Sequence, residues 1–558
     1  MNTRATAPEV NPDVDVLLVG LGPVGAALAN LLGRYGVRVL AIDRTTEIFA
    51  KPRAIALDNE ALRILQLIGL HEDDFPKVVI PQVKYHSPLF GCFARINTAR
   101  MIDGHPMLVT FCQPQLEAAL RRRLSQYPNV EVQLGVALDN FIDEGNCVEV
   151  TLKDGDGLRL VRTRYLIGAD GAGSLVRRSL GLDFQGHTFG QDWLIVDAMD
   201  VPTPIDHVEF RCDPHRPTPH MVAPGGRQRW EFMLHAGERA SEMEKPERVR
   251  ALLAPWCNTK DIRIERTAVY RFHAREARRF SKGRCFLVGD AAHVTPPFAG
   301  QGLVAGLRDT ANLAWKIAGV VHGKLAGQVL DSYDQERRPH ARQIINLARF
   351  LGKLVMPSNC LVAFAIHGAI RAMRILPAGR AAFDDLKIKP PQKFNRGLFW
   401  RNRRARKLLA GSMLPQCWIR TDNLADPALS DDVLGLQWSL IGFAVDPATL
   451  LDVELLTRWR CLSGMIWQWC QGDDARRLTP SERRLVATDE FGLAQLPPTG
   501  WIAIVRPDRC IMAEGPSAEI DSMLRRALQM LEPSAAREIL SLTRRTGLSR
   551  RQRRRELP

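Results

Sequence analysis

The first clear pattern along the chain is a hydrophobic run, a group of glycines and a second hydrophobic run. Residues 14–19 are valine and leucine with one aspartate, residues 20–25 contain three glycines, and residues 26–32 are alanine and leucine with one asparagine. A second apolar run at residues 37–42 ends at Asp43. This order predicts strand, tight turn, helix and strand, and therefore a βαβ unit in a parallel sheet.

Two further patterns follow in the middle of the chain. Short hydrophobic runs at residues 130–134, 147–152, 164–167 and 284–289 predict strands that return to this sheet. Between residues 191 and 270, short alternating segments separated by proline and glycine predict an antiparallel sheet inserted into the α/β domain. We expect this inserted sheet to form the substrate domain.

Composition narrows the class of protein without identifying its function. The 558 residues are 46% hydrophobic, 25% charged and 7% aromatic, which is typical of a globular protein and excludes collagen-like and low-complexity chains. The net charge of +15 is partly local, because residues 544–558 hold seven arginines and one glutamate. Arginines without interleaved aromatic residues are a weak nucleic-acid signal, so we expect no specific nucleic-acid partner.

The spacing of the cysteines and the hydropathy of the chain indicate the cellular compartment in which the protein is expected. The eleven cysteines form no CxxC pair, which is typical of reduced thiols in the cytoplasm. The first 13 residues are polar, and no segment reaches the ~18 uninterrupted apolar residues that a membrane span needs. We therefore expect a cytoplasmic protein that does not bind a membrane.

The glycines at residues 20–25 have the spacing of a dinucleotide-binding turn. Gly20 permits the tight turn, Gly22 lets a pyrophosphate approach the backbone, and Gly25 allows close packing of the helix. Asp43, 18 residues beyond Gly25, is placed to accept hydrogen bonds from the ribose of the adenosine. This turn predicts nucleotide binding but does not distinguish NAD from FAD.

Two later glycine motifs distinguish FAD from NAD. Residues 284–302 read RCFLVGDAAHVTPPFAGQG, and residues 168–177 read GADGAGSLVR. Together with the first turn, these motifs resemble those of the single-component (class A) FAD-dependent aromatic hydroxylases. The resemblance implies that Asp290 binds the ribitol of FAD and that Asp170 lies near both FAD and the reduced nicotinamide.

The same resemblance implies the remaining cofactor contacts. Arg53 matches the family's arginine near the flavin pyrophosphate, and Gln113 matches its glutamine near the flavin. Pro297, Gly300 and Gly302 belong to the loop that faces the reactive edge of the ring. The full set of expected cofactor-binding residues is Gly20, Gly22, Pro23, Gly25, Asp43, Arg44, Arg53, Gln113, Asp170, Arg177, Gly289, Asp290 and Ala291.

The C-terminal region resembles that of the phenol hydroxylase branch of the family. Residues 504–509, IVRPDR, resemble the signature of the thioredoxin-like domain of this branch, here without CxxC. The implied fold is α/β: a Rossmann-like FAD-binding domain with an inserted antiparallel-sheet substrate domain, a helical region and a C-terminal thioredoxin-like domain. The expected segments are a flexible N-terminus at 1–13, the FAD-binding domain at 14–190 and 271–350, the inserted sheet at 191–270, the helical region and linker at 351–430, the thioredoxin-like domain at 431–532 and a basic tail at 533–558.

The resemblance also implies a reaction. A reduced nicotinamide, NADH rather than NADPH, and O2 are expected to be consumed in the ortho-hydroxylation of a phenolic acid to a catechol. Residues 52–55, 58–63, 212–217, 229–233 and 335–338 resemble segments of branch members that hydroxylate 3-(3-hydroxyphenyl)propionate, and this likeness implies that acid and its cinnamate analogue as substrates. A larger or polycyclic phenol is the alternative, and the resemblance leaves a homodimer open.

The residues that contact the substrate are less defined. His220 and His235 lie in the inserted sheet, and His220 is the candidate for a substrate contact; the catalytic base stays unassigned. A carboxylate substrate calls for a cation, preferably an arginine fork. Arg211 is the candidate, and Arg216, Arg227 and Arg229 lie on the same sheet. Metal-site and serine-hydrolase motifs are absent, and no metal is expected.

Overall fold

The structure is a computed structural model that describes residues 12–50, 54–376, 389–402, 408–421, 426–471, 484–488 and 497–533. Arg53 lies outside these ranges, as do nearly all of the predicted N-terminal segment 1–13 and tail 533–558. The chain divides into two compact units, one formed by Met1–Ala311 with Arg337–Pro391 and the other by Asn312–Glu336 with Gln392–Pro558.

The first sheet of the first unit contains the predicted βαβ turn. Strand Val14–Val19 pairs in parallel with Val39–Asp43 on one side and with Gly157–Gly168 on the other. Side chains of the first strand are fully buried because helices cover the sheet, as expected of a parallel sheet. The remaining strands of this sheet are Val130–Leu134, Ala137–Asp143, Val148–Asp154, Ser281–Lys282 and Cys285–Leu287.

The second sheet, called the large sheet below, is broader than the predicted insertion. Its central strand Phe184–Met199 starts before residue 191, and Arg263–Ala277 continues past residue 270. Strand Val208–Arg211 pairs in parallel with Gln82–Ser87, so the sheet is not wholly antiparallel. This pairing satisfies backbone groups that an edge strand would leave open. The other strands are Gly91–Asn97, Thr218–Ala223, Arg227–Met233 and His293–Val294.

The two faces of the large sheet carry different cores, because successive side chains on a strand point to opposite sides. One face, called the aromatic face below, includes Trp193 and Phe272 and packs with Phe298. The opposite face includes Trp230 and packs on helix Pro246–Leu253. The position of a residue along a strand therefore decides which core it enters.

Helices account for most of the remaining described chain. Helix Asp331–Val355 is followed by Cys360–Met373, so the first part of the segment 351–430 is helical. Beyond residue 389 the same segment contains strands Trp418–Arg420 and Ala428–Leu429 instead. The other helices are Pro23–Arg34, Asn59–Ile68, Gln113–Leu124, Leu175–Ser179, Ala240–Met243, Pro246–Leu253, Gly302–Val321, Ser430–Leu434, Val453–Cys461 and Ile520–Leu531.

Small strands complete the first unit. Ala56–Asp58 and Lys77–Val79 pair with the two sides of Leu108–Phe111, and Met101–Ile102 pairs with His105–Pro106.

None of the helices in the described ranges is by itself long and apolar enough to cross a membrane, although the bent pair Gly327–Val355 and Cys360–Met373 reaches that length and composition together.

The second unit is built on a mixed sheet. Strands Trp438–Phe443 and Gly464–Gln471 are parallel and are joined by helix Val453–Cys461, while Trp501–Val505 and Ile511–Pro516 continue the sheet in antiparallel pairs. Strands Ala428–Leu429, Trp418–Arg420 and Arg484–Ala487 complete it on the other side. This order is compatible with the thioredoxin-like prediction for 431–532, except that the sheet begins before residue 431.

Candidate active site

The first glycine turn is tightly packed at two of its glycines and open at the third. Gly20 has φ +98°, and a Cβ added there would lie 2.5 Å from the carbonyl oxygen of Ala169. A Cβ at Gly25 would lie 2.0 Å from the carbonyl oxygen of Gly20, whereas a Cβ at Gly22 would have no heavy atom within 4 Å. The turn is therefore closed on its protein side and leaves free space beside Gly22.

Asp43 fixes this turn from the end of the neighbouring strand. Its Oδ2 accepts a hydrogen bond from the Leu21 amide at 2.8 Å, and its Oδ1 accepts one from the Thr45 amide at 2.9 Å. Pro23 begins the helix, and Arg44 is exposed. Asp43 thus lies beside the glycine turn, while its predicted bond to ribose stays a prediction.

The second glycine motif holds a buried carboxylate. Asp170 Oδ2 accepts hydrogen bonds from the amides of Leu175 and Val176, at 2.7 Å and 3.2 Å. Its Oδ1 is buried and accepts no hydrogen bond from the described residues. One oxygen of this carboxylate is therefore used by the protein, and the other is available for a ligand.

Arg177 joins the second glycine motif to the third. Its guanidinium donates to the carbonyl oxygen of Ala291 at 2.8 Å and to that of Ala172 at 2.7 Å, and its Cζ lies 3.8 Å from the centre of the Phe184 ring. Burial lowers the pKa of Arg177. These contacts make Arg177 a positioning residue for the backbone around Ala291.

The third glycine motif lies next to the first. Strand Cys285–Leu287 pairs with Gly157–Gly168 and ends at a short turn, Gly289–Ala291. Gly289 has φ +59°, and a Cβ there would come within 3.1 Å of Val24, in the helix that follows the first turn. The structure therefore brings the first and third motifs into contact, with Asp290 half-buried beside them.

A buried carboxylate anchors this third motif, and sequence reasoning did not assign it. Asp309 Oδ2 accepts hydrogen bonds from the Gly289 amide at 3.0 Å and from His293 Nε2 at 2.7 Å, and its Oδ1 accepts one from Arg337 Nε at 2.8 Å. Burial favours a raised pKa, but His293 and Arg337 outweigh it and hold the pKa of Asp309 below its usual range. His293 thereby links this motif to helix Gly302–Val321.

The loop expected to face the flavin edge is held at its far end by a second charge cluster. Pro297 and Gly300 bound a short helical turn, and Gly300 has φ +61°. Gln301, between Gly300 and Gly302, donates from Nε2 to Asp58 Oδ2 at 2.9 Å and accepts from Arg308 Nη1 at 3.0 Å. These two hydrogen bonds of the Gln301 side chain hold the neighbouring backbone at Gly300 and Gly302 in place.

This cluster contains two acids and two cations. Arg308 Nε donates to Glu60 Oε2 at 2.7 Å, and Lys389 Nζ donates to Asp58 Oδ2 at 2.6 Å and to Glu60 Oε1 at 2.9 Å. Burial alone raises the pKa of Asp58, but Lys389 and Arg308 outweigh it and hold this pKa well below its usual range. Adjacent charged residues in a mainly apolar helix, Arg308 with Asp309, were the available sequence signal.

Gln113 supports the segment that follows Arg53. Its Oε1 accepts a hydrogen bond from the Ala54 amide at 3.2 Å, at the start of helix Gln113–Leu124. Gln113 thus contacts the chain next to Arg53, which itself lies outside the described residues.

The structure does not bring His220 and Arg211 to the aromatic face. His220 stacks on Trp230 at 4.3 Å, and Arg211 lies over the ring of Trp256 at 3.9 Å. Both tryptophans belong to the core on the opposite face. The alternation of side chains along these strands directs both residues away from Phe298. This placement speaks against the predicted substrate contacts only for a substrate bound at the aromatic face.

The other arginines considered as partners for the carboxylate of a substrate each pair with an acidic residue of the protein. Arg216 pairs with Glu238 at 2.7 Å, Arg227 pairs with Glu265 at 2.7 Å, and Arg229 pairs with Asp197 at 2.6 Å. Of these, Arg229 is the most buried, and its forked guanidinium is committed to Asp197.

A dinucleotide cofactor fits the three motifs. The open space at Gly22 lies at the start of helix Pro23–Arg34, whose N-terminus has neither a side-chain cap nor an acidic residue. Such an end offers amide donors to a pyrophosphate. Asp170 has a buried oxygen without a partner among the described residues, which suits a hydroxyl or amide donor of a ligand.

Comparison with known proteins decides the family. The family described as "FAD binding domain" matches residues 13–348, and the one described as "HcaD C-terminal domain" matches residues 411–530. The 3-(3-hydroxy-phenyl)propionate/3-hydroxycinnamic acid hydroxylase of Escherichia coli O157:H7 (strain EC4115 / EHEC) is 34% identical over 459 residues, which are 82% of this chain and 83% of that protein. The chain belongs to the FAD-dependent aromatic hydroxylases. FAD is the cofactor of this hydroxylase, and a reduced nicotinamide is its co-substrate.

Solved structures agree with this family at the level of the fold. The flavin-dependent monooxygenase PieE, in complex with FAD and substrate, has a TM-score of 0.74 at 20% identity, covering 93% of this chain and 100% of PieE. The aklavinone-11 hydroxylase, with FAD and aklavinone, has a TM-score of 0.73 at 21% identity and the same coverage. The predicted family, α/β class and cofactor are confirmed.

Proposed function

We propose that this hydroxylase converts a phenolic acid to a catechol, with 3-(3-hydroxyphenyl)propionate and 3-hydroxycinnamate as the substrates. The observation that carries the proposal is the 34% identity to the Escherichia coli enzymes of that name over 82% of the chain. When bound, FAD takes up reducing equivalents from the nicotinamide and, with O2, supplies one oxygen atom to an electron-rich ring.

The cofactor sites are part of the same proposal. Gly22 and the helix N-terminus at Pro23 would hold the pyrophosphate of FAD, and Asp43 would bind the ribose of its adenosine. Asp290 would bind the ribitol, and the backbone of Pro297–Gly302 would lie against the reactive edge of the flavin ring. The contacts of Asp309 and Gln301 would hold this backbone in place. Positioning of this kind raises the rate because it fixes the ring of the substrate against the reactive edge before reaction.

The aromatic face supplies a site for the phenol. Phe298, within the flavin-edge loop, packs edge-on against Trp193 at 5.8 Å and Phe272 at 5.9 Å between ring centres. An aromatic substrate in contact with these rings would lie next to the loop and away from water. Exclusion of water protects the oxygen-transfer step from side reactions.

The test is turnover by the FAD-loaded protein. NADH oxidation and O2 uptake are measured together with 3-(3-hydroxyphenyl)propionate, with 3-phenylpropionate as the matched acid without a hydroxyl group, and with NADPH in place of NADH. We expect strong stimulation by the phenolic acid alone, preference for NADH, and a product heavier by one oxygen atom. Stimulation by larger phenols but not by this acid would refute the substrate and favour the polycyclic alternative.

Location and assembly complete the proposal. Cytoplasmic NADH and O2 would both be available to the enzyme, and the reduced state expected of its eleven cysteines suits that compartment. A homodimer is the proposed assembly, and light scattering at several protein concentrations tests it.

A further inference from the structure

The aromatic face of the large sheet is ordered in rows across three strands. Trp193 on the central strand pairs with Met233 on one side and with Tyr270 on the other. This aromatic row is the part of the face that meets the flavin-edge loop, because Trp193 contacts Phe298.

A row of charges crosses the same face four residues further along. Asp197 pairs with Arg229 on one side and with Arg266 on the other. Arg229 Nε lies 2.6 Å from Asp197 Oδ1, and Arg266 Nε lies 2.9 Å from Asp197 Oδ2. Two cations thus share one carboxylate in a buried row.

Glu231 lies between these two rows. Its strand neighbours across the sheet are Ile195 and, one strand further, Ala268, whose side chains form no hydrogen bonds. Its Cα is two residues, or about 7 Å, from Met233 in the aromatic row and as far from Arg229 in the charge row. Glu231 is 5% exposed, so its carboxyl is a buried acid beside the aromatic site.

Given the proposed function, on which this inference rests, we propose that Glu231 accepts the proton of the phenolic hydroxyl of the substrate. The O–H bond of the phenol breaks, an O–H bond forms on the Glu231 carboxylate, and no electron is exchanged. The resulting phenolate oxygen donates electron density to the ortho carbon, which is the position to be hydroxylated.

Electrostatics supports this assignment. Burial raises the pKa of Glu231 to about 7, against the attraction of Arg229. A base that titrates near the working pH is the most effective kind of proton acceptor. Proton transfer from phenol to Glu231 also leaves the total buried charge unchanged, so the charge row requires no new counter-ion.

Other ionisable groups near Glu231 keep their charge states in this step. Arg229, Asp197 and Arg266 form the ion-paired row. Burial opposes the charges of Asp197 and Arg229, but their mutual attraction outweighs it, so the pKa of Asp197 is lowered and that of Arg229 is raised; burial lowers the pKa of Arg266. Tyr270 lies in the aromatic row, and Cys112 acts on Arg266 from the start of helix Gln113–Leu124. The elements that pack over the face contribute mainly apolar side chains, including Phe298, Leu354 and Val355. His367 also stacks on Phe93 of this core at 4.2 Å, and burial lowers its pKa; burial raises the pKa of Tyr85 and Cys212 in the same core, so all three are neutral.

The first test measures binding to the FAD-loaded protein without a reductant, from the absorbance change of the oxidised flavin. Ionised Glu231 accepts a hydrogen bond from a phenol but not from its methyl ether. We expect the Kd of 3-(3-hydroxyphenyl)propionate to fall about tenfold between about pH 6 and about pH 8, whereas the Kd of the 3-methoxy analogue does not fall. Equal pH dependence for the two ligands would overturn the proposal, and this comparison needs no variant.

The second test uses Glu231→Gln, with Glu209→Gln as the matched control on the opposite face of the same sheet. In Glu231→Gln we expect the pH dependence of phenol binding to disappear and kcat at about pH 8 to fall about 100-fold, with a smaller change in KM. Glu209→Gln keeps both properties. A Glu231→Gln variant with the wild-type pH profile would overturn the proposal. If the wild type neither binds nor hydroxylates phenolic acids, the proposed function fails as well, which separates the two failures.

Discussion

Replacement of Lys389 by methionine perturbs the charge balance behind the flavin-edge loop. The cluster of Asp58, Glu60, Arg308 and Lys389 holds two negative and two positive charges; Asp58 and Arg308 are buried, and Glu60 and Lys389 are half-buried. Methionine keeps the length and apolar stem of lysine and removes its charge. Lys389→Met therefore leaves one carboxylate of this cluster without a counter-ion.

The expected cost follows from burial and from the two contacts that are lost. Lys389 Nζ lies 2.6 Å from Asp58 and 2.9 Å from Glu60. Removal of one partner from a buried ion pair costs about 3–5 kcal/mol, a large share of the stability of a typical domain. The sign of the pH dependence also follows. The unbalanced carboxyl acquires a pKa above its unfolded value, so the variant is least impaired at low pH and loses stability as pH rises through that pKa.

The assay is urea unfolding of the FAD-loaded protein at about pH 5.5 and about pH 8, followed by flavin fluorescence and by circular dichroism. The double variant Lys389→Met with Glu60→Gln restores the balance, with Asp58 against Arg308, and we expect it to regain most of the lost stability at the higher pH. A loss below about 1 kcal/mol, or the same loss at both pH values, would refute the reasoning that charge balance in this cluster supports the loop.

Three further predictions concern other parts of the site. Gly22→Val, which fills open space, leaves the unfolding temperature of the apoprotein unchanged in calorimetry but weakens FAD binding in a flavin titration. Gly25→Ala, whose Cβ would clash with the Gly20 carbonyl oxygen, lowers the free energy of unfolding of the apoprotein by about 1–3 kcal/mol. Burial raises the pKa of Glu117 to about 7, so its carboxyl makes the unfolding free energy fall between about pH 4.5 and about pH 7. In Glu117→Gln we expect the unfolding free energy to fall less, or to rise more, over this range than in the wild type, as urea titrations at both pH values will show. Arg211→Gln leaves kcat and KM within about twofold, because its side chain is on the face opposite the aromatic site.

Features encoded over a few neighbouring residues were predictable from the sequence. The turn at Gly20–Gly25, the short turn at Gly289–Ala291 and the carboxylate Asp43 all depend on local spacing after a buried strand. Each of these signals has a physical cause that acts within a few residues, namely a positive φ, a helix N-terminus or a strand end. The family resemblance added the cofactor and the reaction.

Features that depend on distant residues were not predictable in this way. Lys389 is 331 positions from Asp58, and no local pattern indicates that they pair. The face on which His220 and Arg211 lie was not predictable for a related reason: register across the large sheet, not residue type, decides which core a side chain enters. Glu231 escaped notice because an acidic residue within a strand is ordinarily a solvent-exposed one.

The loop at residues 289–302 shows why buried charges are used here instead of apolar packing. Residues 289–302 are rich in glycine, alanine and proline, which suits a backbone proposed to lie close to a flat cofactor ring, and such residues provide few contacts of their own. The structure holds this loop from its two ends, with Asp309 accepting from the Gly289 amide and with Gln301 held by Asp58 and Arg308. Hydrogen bonds to ionised groups are directional, so they fix orientation where small side chains cannot. Each anchor requires its own counter-ion, Arg337 for Asp309 and Lys389 with Arg308 for Asp58. The position of the flavin-edge loop is therefore expected to be more sensitive to loss of a remote cation than to loss of a methyl group in the nearby core.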